Sequence, residues 1–157
     1  MTLSLHHYTH THGTHTVLNR VDFAVPAGVI TALVGVNGAG KSTLLHALAA
    51  RGTPQQCAVY MQDEHTGFAL TVAEVVALGR LPWQGYTHRT QDAALVQQAL
   101  HACDVAHLTQ RYYAQLSGGE RARVRLARGM AQLLQPQPAP PRPVPAYWVV
   151  DEPRAHL

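Results

Sequence analysis

The octapeptide GVNGAGKS, Gly35 to Ser42, constrains this chain more than any other stretch, because it dictates its own conformation and that of both flanks. It fits G-x-x-x-x-G-K-S, a pattern whose glycines let the backbone turn until successive N–H groups point inward at phosphate oxygens. Such a loop works between a strand and a helix. Before it, Val29 to Val34 (VITALV) is apolar and β-branched, which predicts a strand buried on both faces of a parallel sheet. After it, Ser42 to Ala50 (STLLHALAA) spaces Leu44, Leu45 and Leu48 as a helix does, with its positive end at the phosphates. Gly35, Asn37, Gly38, Ala39 and Gly40 then form the cradle, and Lys41 neutralises the outer phosphates. Ser42 offers its hydroxyl to Mg2+, and Thr43 adds a hydrogen bond to phosphate.

A phosphate cradle needs a carboxylate to hold the metal, and Tyr147 to Glu152 (YWVVDE) supplies one. An apolar strand there delivers Asp151 to the sheet's carboxyl edge beside the loop. Glu152 follows it and is assigned as the general base that polarises the attacking water.

The intervening chain reads as alternating elements. Val17 to Val25 predicts a half-exposed strand ended by Pro26, and Cys57 to Met61 (CAVYM) a short one. Thr71 to Gly79 predicts a helix capped by Thr71 and Glu74 and ended at glycine. Residues 91 to 103 predict a helix with Leu95, Ala99, Leu100 and Cys103 on its packing face. From Ser117 the sequence SGGERARVRLARGMAQLL predicts a serine-capped helix. Residues 135 to 145 hold six of the ten prolines and predict an extended connector within a single domain spanning residues 1 to 157.

Composition narrows the classes that remain. At 157 residues and 46% hydrophobic, the chain supports one ordinary core. Twelve basic against nine acidic residues is too small an excess to argue for nucleic acid, so Arg121, Arg123, Arg125 and Arg128 read as a solvated helix face. Cys57 and Cys103 have no metal-ligand spacing and fit a reducing compartment. No secretory leader or membrane-length apolar run is visible. The cluster His6, His7, His10, His12 and His15 lacks carboxylate or thiolate company and reads as a solvated, irregular segment rather than a metal or haem site. Trp83 reads as a packed residue at least as readily as part of a partner surface.

LSGGE at Leu116 to Glu120, leading into the arginine-bearing helix and preceding Asp151-Glu152-Pro153, resembles the signature of ABC ATPases. The resemblance runs from about Thr16 to Leu157. It implies an α/β fold of the P-loop NTPase kind, ABC ATPase-like, with a helical signature subdomain. The short gap from Lys41 to Gln62 implies a shortened antiparallel subdomain. By the same resemblance Gln62 is the glutamine that contacts the metal and couples the site to a membrane partner. Ser117, Gly118 and Gly119 would close over ATP bound to a second subunit. Tyr8 and His12 are the aromatic residues upstream of the loop where the family stacks one on adenine, and the family's switch histidine has no counterpart here.

Within that family, TVAEVVALGRLPW and the proline-rich insertion resemble the ATPases of haem and ferric-siderophore importers. The implied protein is an ATP-binding, Mg2+-using hydrolase subunit energising import of haem or another iron chelate. It would act as a homodimer under two permease subunits on the cytoplasmic face of the membrane, served indirectly by a periplasmic binding protein and binding no nucleic acid. The alternatives are a truncated, non-hydrolysing remnant of such a subunit and a soluble ABC ATPase not tied to transport.

Overall fold

The computed structural model describes residues 2–60, 69–136 and 146–151. Its first two strands, β1 (Leu3–His12) and β2 (His15–Val25), form an antiparallel hairpin closed at Gly13 and Thr14. The turn is possible because Gly13 takes φ +60°, and His12 pairs directly with His15 across it. The histidine-rich start is therefore a strand and not the irregular segment its composition predicts. Alternation decides this: Leu3 and Leu5 are buried at period two, enough to seat the strand on a core whatever the polarity between them. Register shifts bend the hairpin where His7 and Arg20 adopt left-handed backbone. The donors freed there are met by side chains. The His7 N–H donates to Asp22 Oδ1 at 2.9 Å and the Arg20 N–H to Thr9 Oγ1 at 3.0 Å. The His7 ring also bonds Asp22 Oδ1 at 3.0 Å, and these contacts hold the Asp22 carboxyl below its usual range.

After the glycine-rich loop comes α1 (Lys41–Ala49), then β3 (Cys57–Tyr60), which pairs in parallel with β4 (Tyr147–Val150). The register Cys57 to Tyr147 through Tyr60 to Val150 joins segments ninety residues apart in sequence, as a crossover connection requires. α1 packs against all four strands, and Leu5, Leu18, Leu44, Leu48 and Val149 make one core between them.

A second core lies among helices. α2 (Val72–Ala77) opens on a capping box in which Thr71 and Glu74 satisfy each other's backbone N–H, as its sequence predicts. The chain does not stop at Gly79 but tightens into a 3-10 turn, Leu78–Trp83, before α3 (Arg89–Ala102) and the long α4 (Gly118–Leu133). Val96 rather than Leu95 turns inward on α3, with Ala99 and Leu100. Trp83 is buried, which settles it as a packing residue. The proline-rich connector lies mostly outside the described residues.

Gly79 is where α4 and the turn touch most closely. A Cβ there would collide with the Arg128 carbonyl and stand 3.1 Å from the Gln132 nitrogen. Gly79→Ala is expected to cost about 1–3 kcal/mol, read as a lower denaturation midpoint at constant slope. An unchanged midpoint would show that the crossing relaxes freely.

The run Val29 to Val34 departs from expectation. It is joined to no strand among the described residues: β2 pairs only with β1, and β4 only with β3. Ile30 is 101% exposed and Val34 91%, so the side they share is bare, whereas Leu33 is partly buried against the core beside α1. β-branched composition supplies the preference for extended backbone, but a strand also needs a neighbour's ladder.

Candidate functional site

The loop from Gly35 to Gly40 turns on two glycines in left-handed backbone, Gly38 at φ +81° and Gly40 at φ +85°. Gly40 is doubly required, since a Cβ would lie 3.0 Å from Leu18 Cδ2 and 3.1 Å from Val17 Cγ1. That close approach seats the loop against β2. The Ala39 N–H closes a turn on the Val36 carbonyl at 3.3 Å. α1 then begins at Lys41 with no side-chain cap, so its first N–H groups have no such acceptor at the mouth of the loop. Lys41 folds back over the opening, its Nζ donating to the Gly35 and Val36 carbonyls at 2.9 Å each. The positive end of α1 and the Lys41 ammonium meet at the same glycine turn, an arrangement suited to a phosphate chain.

Ser42 stands exposed in the first turn of α1, and Asp151 follows the last residue of β4, the strand against which α1 packs. The Asp151 N–H donates to the Tyr60 carbonyl at 3.0 Å, extending the parallel ladder by one bond and fixing the backbone that carries the carboxylate. A hydroxyl and a carboxylate brought to one edge are the hard oxygen donors that Mg2+ takes, so the residues present fit that ion. Gln62 and Glu152 lie outside the described residues. The cradle and Asp151 are carried by α1 and β4, two elements in contact.

Ser117, Gly118 and Gly119 are exposed at the start of α4, which packs on α2, α3 and β3 while α1 packs on the strands. Ser117 Oγ accepts from the Glu120 N–H at 3.3 Å, and Glu120 Oε2 accepts from the Ser117 N–H at 2.7 Å. Those bonds from Ser117 hold the Glu120 carboxyl below the ordinary glutamate range, with Arg111 and Arg123 adding smaller attractions. The cap therefore contributes stability above the unfolded value, about 4.3, and loses it as pH falls through the lower folded value. Acid titration followed by amide NMR should show the start of α4 fraying in that window. Glu120→Gln should remove the pH dependence, and an identical profile in the variant would assign it elsewhere.

The arginines of α4 are not a uniformly solvated face. Arg125 donates from Nε to the Tyr113 hydroxyl at 3.0 Å and lies over the Tyr60 ring, 5.2 Å from its centroid. Arg121 donates to the Ala114 carbonyl at 2.8 Å. Arg125 and Gln132 are the residues that tie the signature helix to β3, and no motif announces either. The Gln132 amide donates to the Pro54 and Cys57 carbonyls at 2.6 and 3.0 Å. Of the upstream aromatic positions, Tyr8 stacks on His10 with centroids 6.3 Å apart, and His12 is exposed at the hairpin tip. Among the described residues, no three histidine, cysteine or carboxylate side chains gather to hold a metal.

Comparison with known proteins agrees with the motifs. The ABC transporter family profile matches residues 18–135. A hemin import ATP-binding protein of Nocardia farcinica is 47% identical over 137 residues, 74% of this chain and 48% of that one. One from Pseudomonas fluorescens is 42% identical over 147 residues, 80% and 57% of the two chains. The chain therefore spans about half the length of the curated relatives it matches. Among solved structures, a metal-chelate type ABC transporter in an inward-facing conformation superposes with TM-score 0.68 at 27% identity, over 82% of this chain and 55% of that one. A nucleotide-free ATP-binding cassette from an ABC transporter gives TM-score 0.70 at 19% identity, over 84% and 66%, and shows the fold alone.

Proposed function

Because this chain belongs to the ABC transporter family, we propose that it binds and hydrolyses ATP to energise an importer of haem or another iron chelate. One observation carries the nucleotide half of this reading: the uncapped start of α1 and the Lys41 ammonium face the same turn of glycine backbone. The haem half rests on relatives 37–47% identical that are hemin import ATP-binding proteins.

In this reading Gly35, Asn37, Gly38, Ala39 and Gly40 wrap the phosphates with backbone N–H groups, Lys41 neutralises the outer two and Thr43 adds a hydrogen bond. Ser42, Asp151 and Gln62 hold Mg2+, which when bound draws charge from the phosphate oxygens. Glu152 takes a proton from the attacking water. Ser117, Gly118 and Gly119, exposed on a separate helix, cover the nucleotide of a second copy, so that two chains head to tail enclose two nucleotides. Permease subunits anchor this dimer at the inner face of the membrane, and a periplasmic binding protein delivers cargo to them. No helix among the described residues is long and apolar enough to cross a membrane, consistent with that peripheral role.

A second reading, a non-hydrolysing form of the same unit, is favoured by the run Val29 to Val34, which pairs with no strand among the described residues and so leaves the loop's first flank without a ladder. Titration of the purified chain with a fluorescent ATP analogue, alongside phosphate release with Mg2+, separates the two. Binding with turnover supports the ATPase, and binding without turnover the second reading. A folded chain that binds no nucleotide would sink both.

A further inference from the structure

Arg80 is 4% exposed, an unusual place for a guanidinium, and its contacts reach three elements. Nε pairs with Asp92 Oδ1 of α3 at 2.8 Å, and the other Asp92 oxygen accepts from the Thr87 hydroxyl at 2.8 Å. Nη1 donates to the Ala131 and Leu134 carbonyls at 2.6 and 2.7 Å. The guanidinium also covers the Trp83 ring at 5.1 Å, and the Trp83 indole N–H donates to the Gln132 carbonyl at 2.7 Å. One 3-10 turn thus caps three carbonyls at the end of α4. That helix carries no basic residue in its own last turn, so the charge opposing its dipole comes from Arg80, more than fifty positions earlier.

Stability alone accounts poorly for this. Nη2 is buried with no acceptor among the described residues, and a buried ion pair is often matched or bettered by apolar side chains of similar volume. Direction is what the pair adds. Two bonds from the one nitrogen Nη1, held in place by the Nε pair with Asp92, and Gly79 seated against Arg128 and Gln132 fix the rotation of α4 about its own end. From that end the Gln132 amide reaches Pro54 and Cys57 at the start of β3, the strand paired with the one leading to Asp151.

We propose that Arg80 is a positioning residue which, with Trp83 and Asp92, sets the orientation of the signature helix α4 relative to the phosphate-binding lobe. Its consequence for turnover rests on the reading above, whereas the clamp rests on geometry. Arg80 touches neither the phosphate loop nor Ser117 and acts through α4, so nucleotide affinity and turnover should respond differently to its loss.

The test replaces the pair by an apolar match, Arg80→Met with Asp92→Leu, beside Arg80→Lys. Nitroxide labels at Ala50→Cys on the end of α1 and Arg123→Cys on α4, both exposed, report the distance between lobes in a Cys103→Ser background, Cys57 being buried. The double variant is expected to broaden that distribution and to lower kcat about tenfold or more, with ATP-analogue affinity within about twofold of wild type. Arg80→Lys should be intermediate, since it keeps the charge and loses the fork, and it carries the test should the double variant not fold. A distribution as narrow as wild type in a folded variant overturns the proposal, as does a broadened one with kcat unchanged. If wild type binds nucleotide without turnover, the hydrolytic reading falls while the label distances still decide whether the clamp exists.

Discussion

Lys41→Ala is expected to weaken ATP-analogue binding about a hundredfold to a thousandfold and to remove measurable turnover, with the fold retained. The effect follows from where the ammonium sits. Its two acceptors are carbonyls of the loop itself, at Gly35 and Val36, so the charge is already held over the glycine turn. A donor fixed at that point contributes several kcal/mol to a multiply charged oxygen cluster, because nothing has to reorganise when the ligand arrives. Lys41 is only partly buried and belongs to the first turn of α1, whose packing rests on Leu44, Ala47 and Leu48. Loss of the side chain should leave that core intact. Circular dichroism with fluorescent-nucleotide titration would check both statements, and affinity within tenfold of wild type would place the phosphates elsewhere.

Glu152→Gln is expected to show the opposite division: binding kept, turnover reduced about a hundredfold to ten-thousandfold. Glutamine preserves volume and hydrogen bonding but cannot take a proton. In the proposed reading the metal-holding role belongs instead to Asp151, whose backbone is pinned to Tyr60 by the last bond of the β3–β4 ladder. Phosphate release measured beside nucleotide binding distinguishes the two carboxylates. Equal loss of binding and turnover in Glu152→Gln would make it a second metal-holding residue rather than the base.

Elements governed by local rules were legible in the sequence. Thr71 with Glu74 is spaced for a capping box and Ser117 reads as a serine cap, and both form, the second as a full box with Glu120. The glycines of GVNGAGKS demand a turn, and Gly38 and Gly40 take it. What composition obscured was set by long-range partners. His6, His7 and His10 look like a polar tail until Leu3 and Leu5 find α1 and the hairpin forms around them. VITALV looks like a central strand, but strand identity lies in the pairing, and no pairing partner adjoins it among the described residues. Gly79 read as a stop signal, whereas its missing side chain answers the approach of Arg128 on a helix fifty residues later. The buried Arg80, between a leucine-glycine pair and a proline, carried no local mark of burial.

The bare run ahead of the phosphate loop has a thermodynamic consequence. On its far side the loop is anchored by α1 in a packed core, and on its near side by a run that has no ladder bonds among the described residues and meets that core through Leu33. With phosphate bound at the loop as proposed, local order there and phosphate binding are linked equilibria. Whatever lowers the free energy of an extended 29–34 raises ATP affinity by some factor, and ATP must favour the extended form by that same factor. In the proposed reading, nucleotide affinity is then set partly by six residues that need never touch the nucleotide.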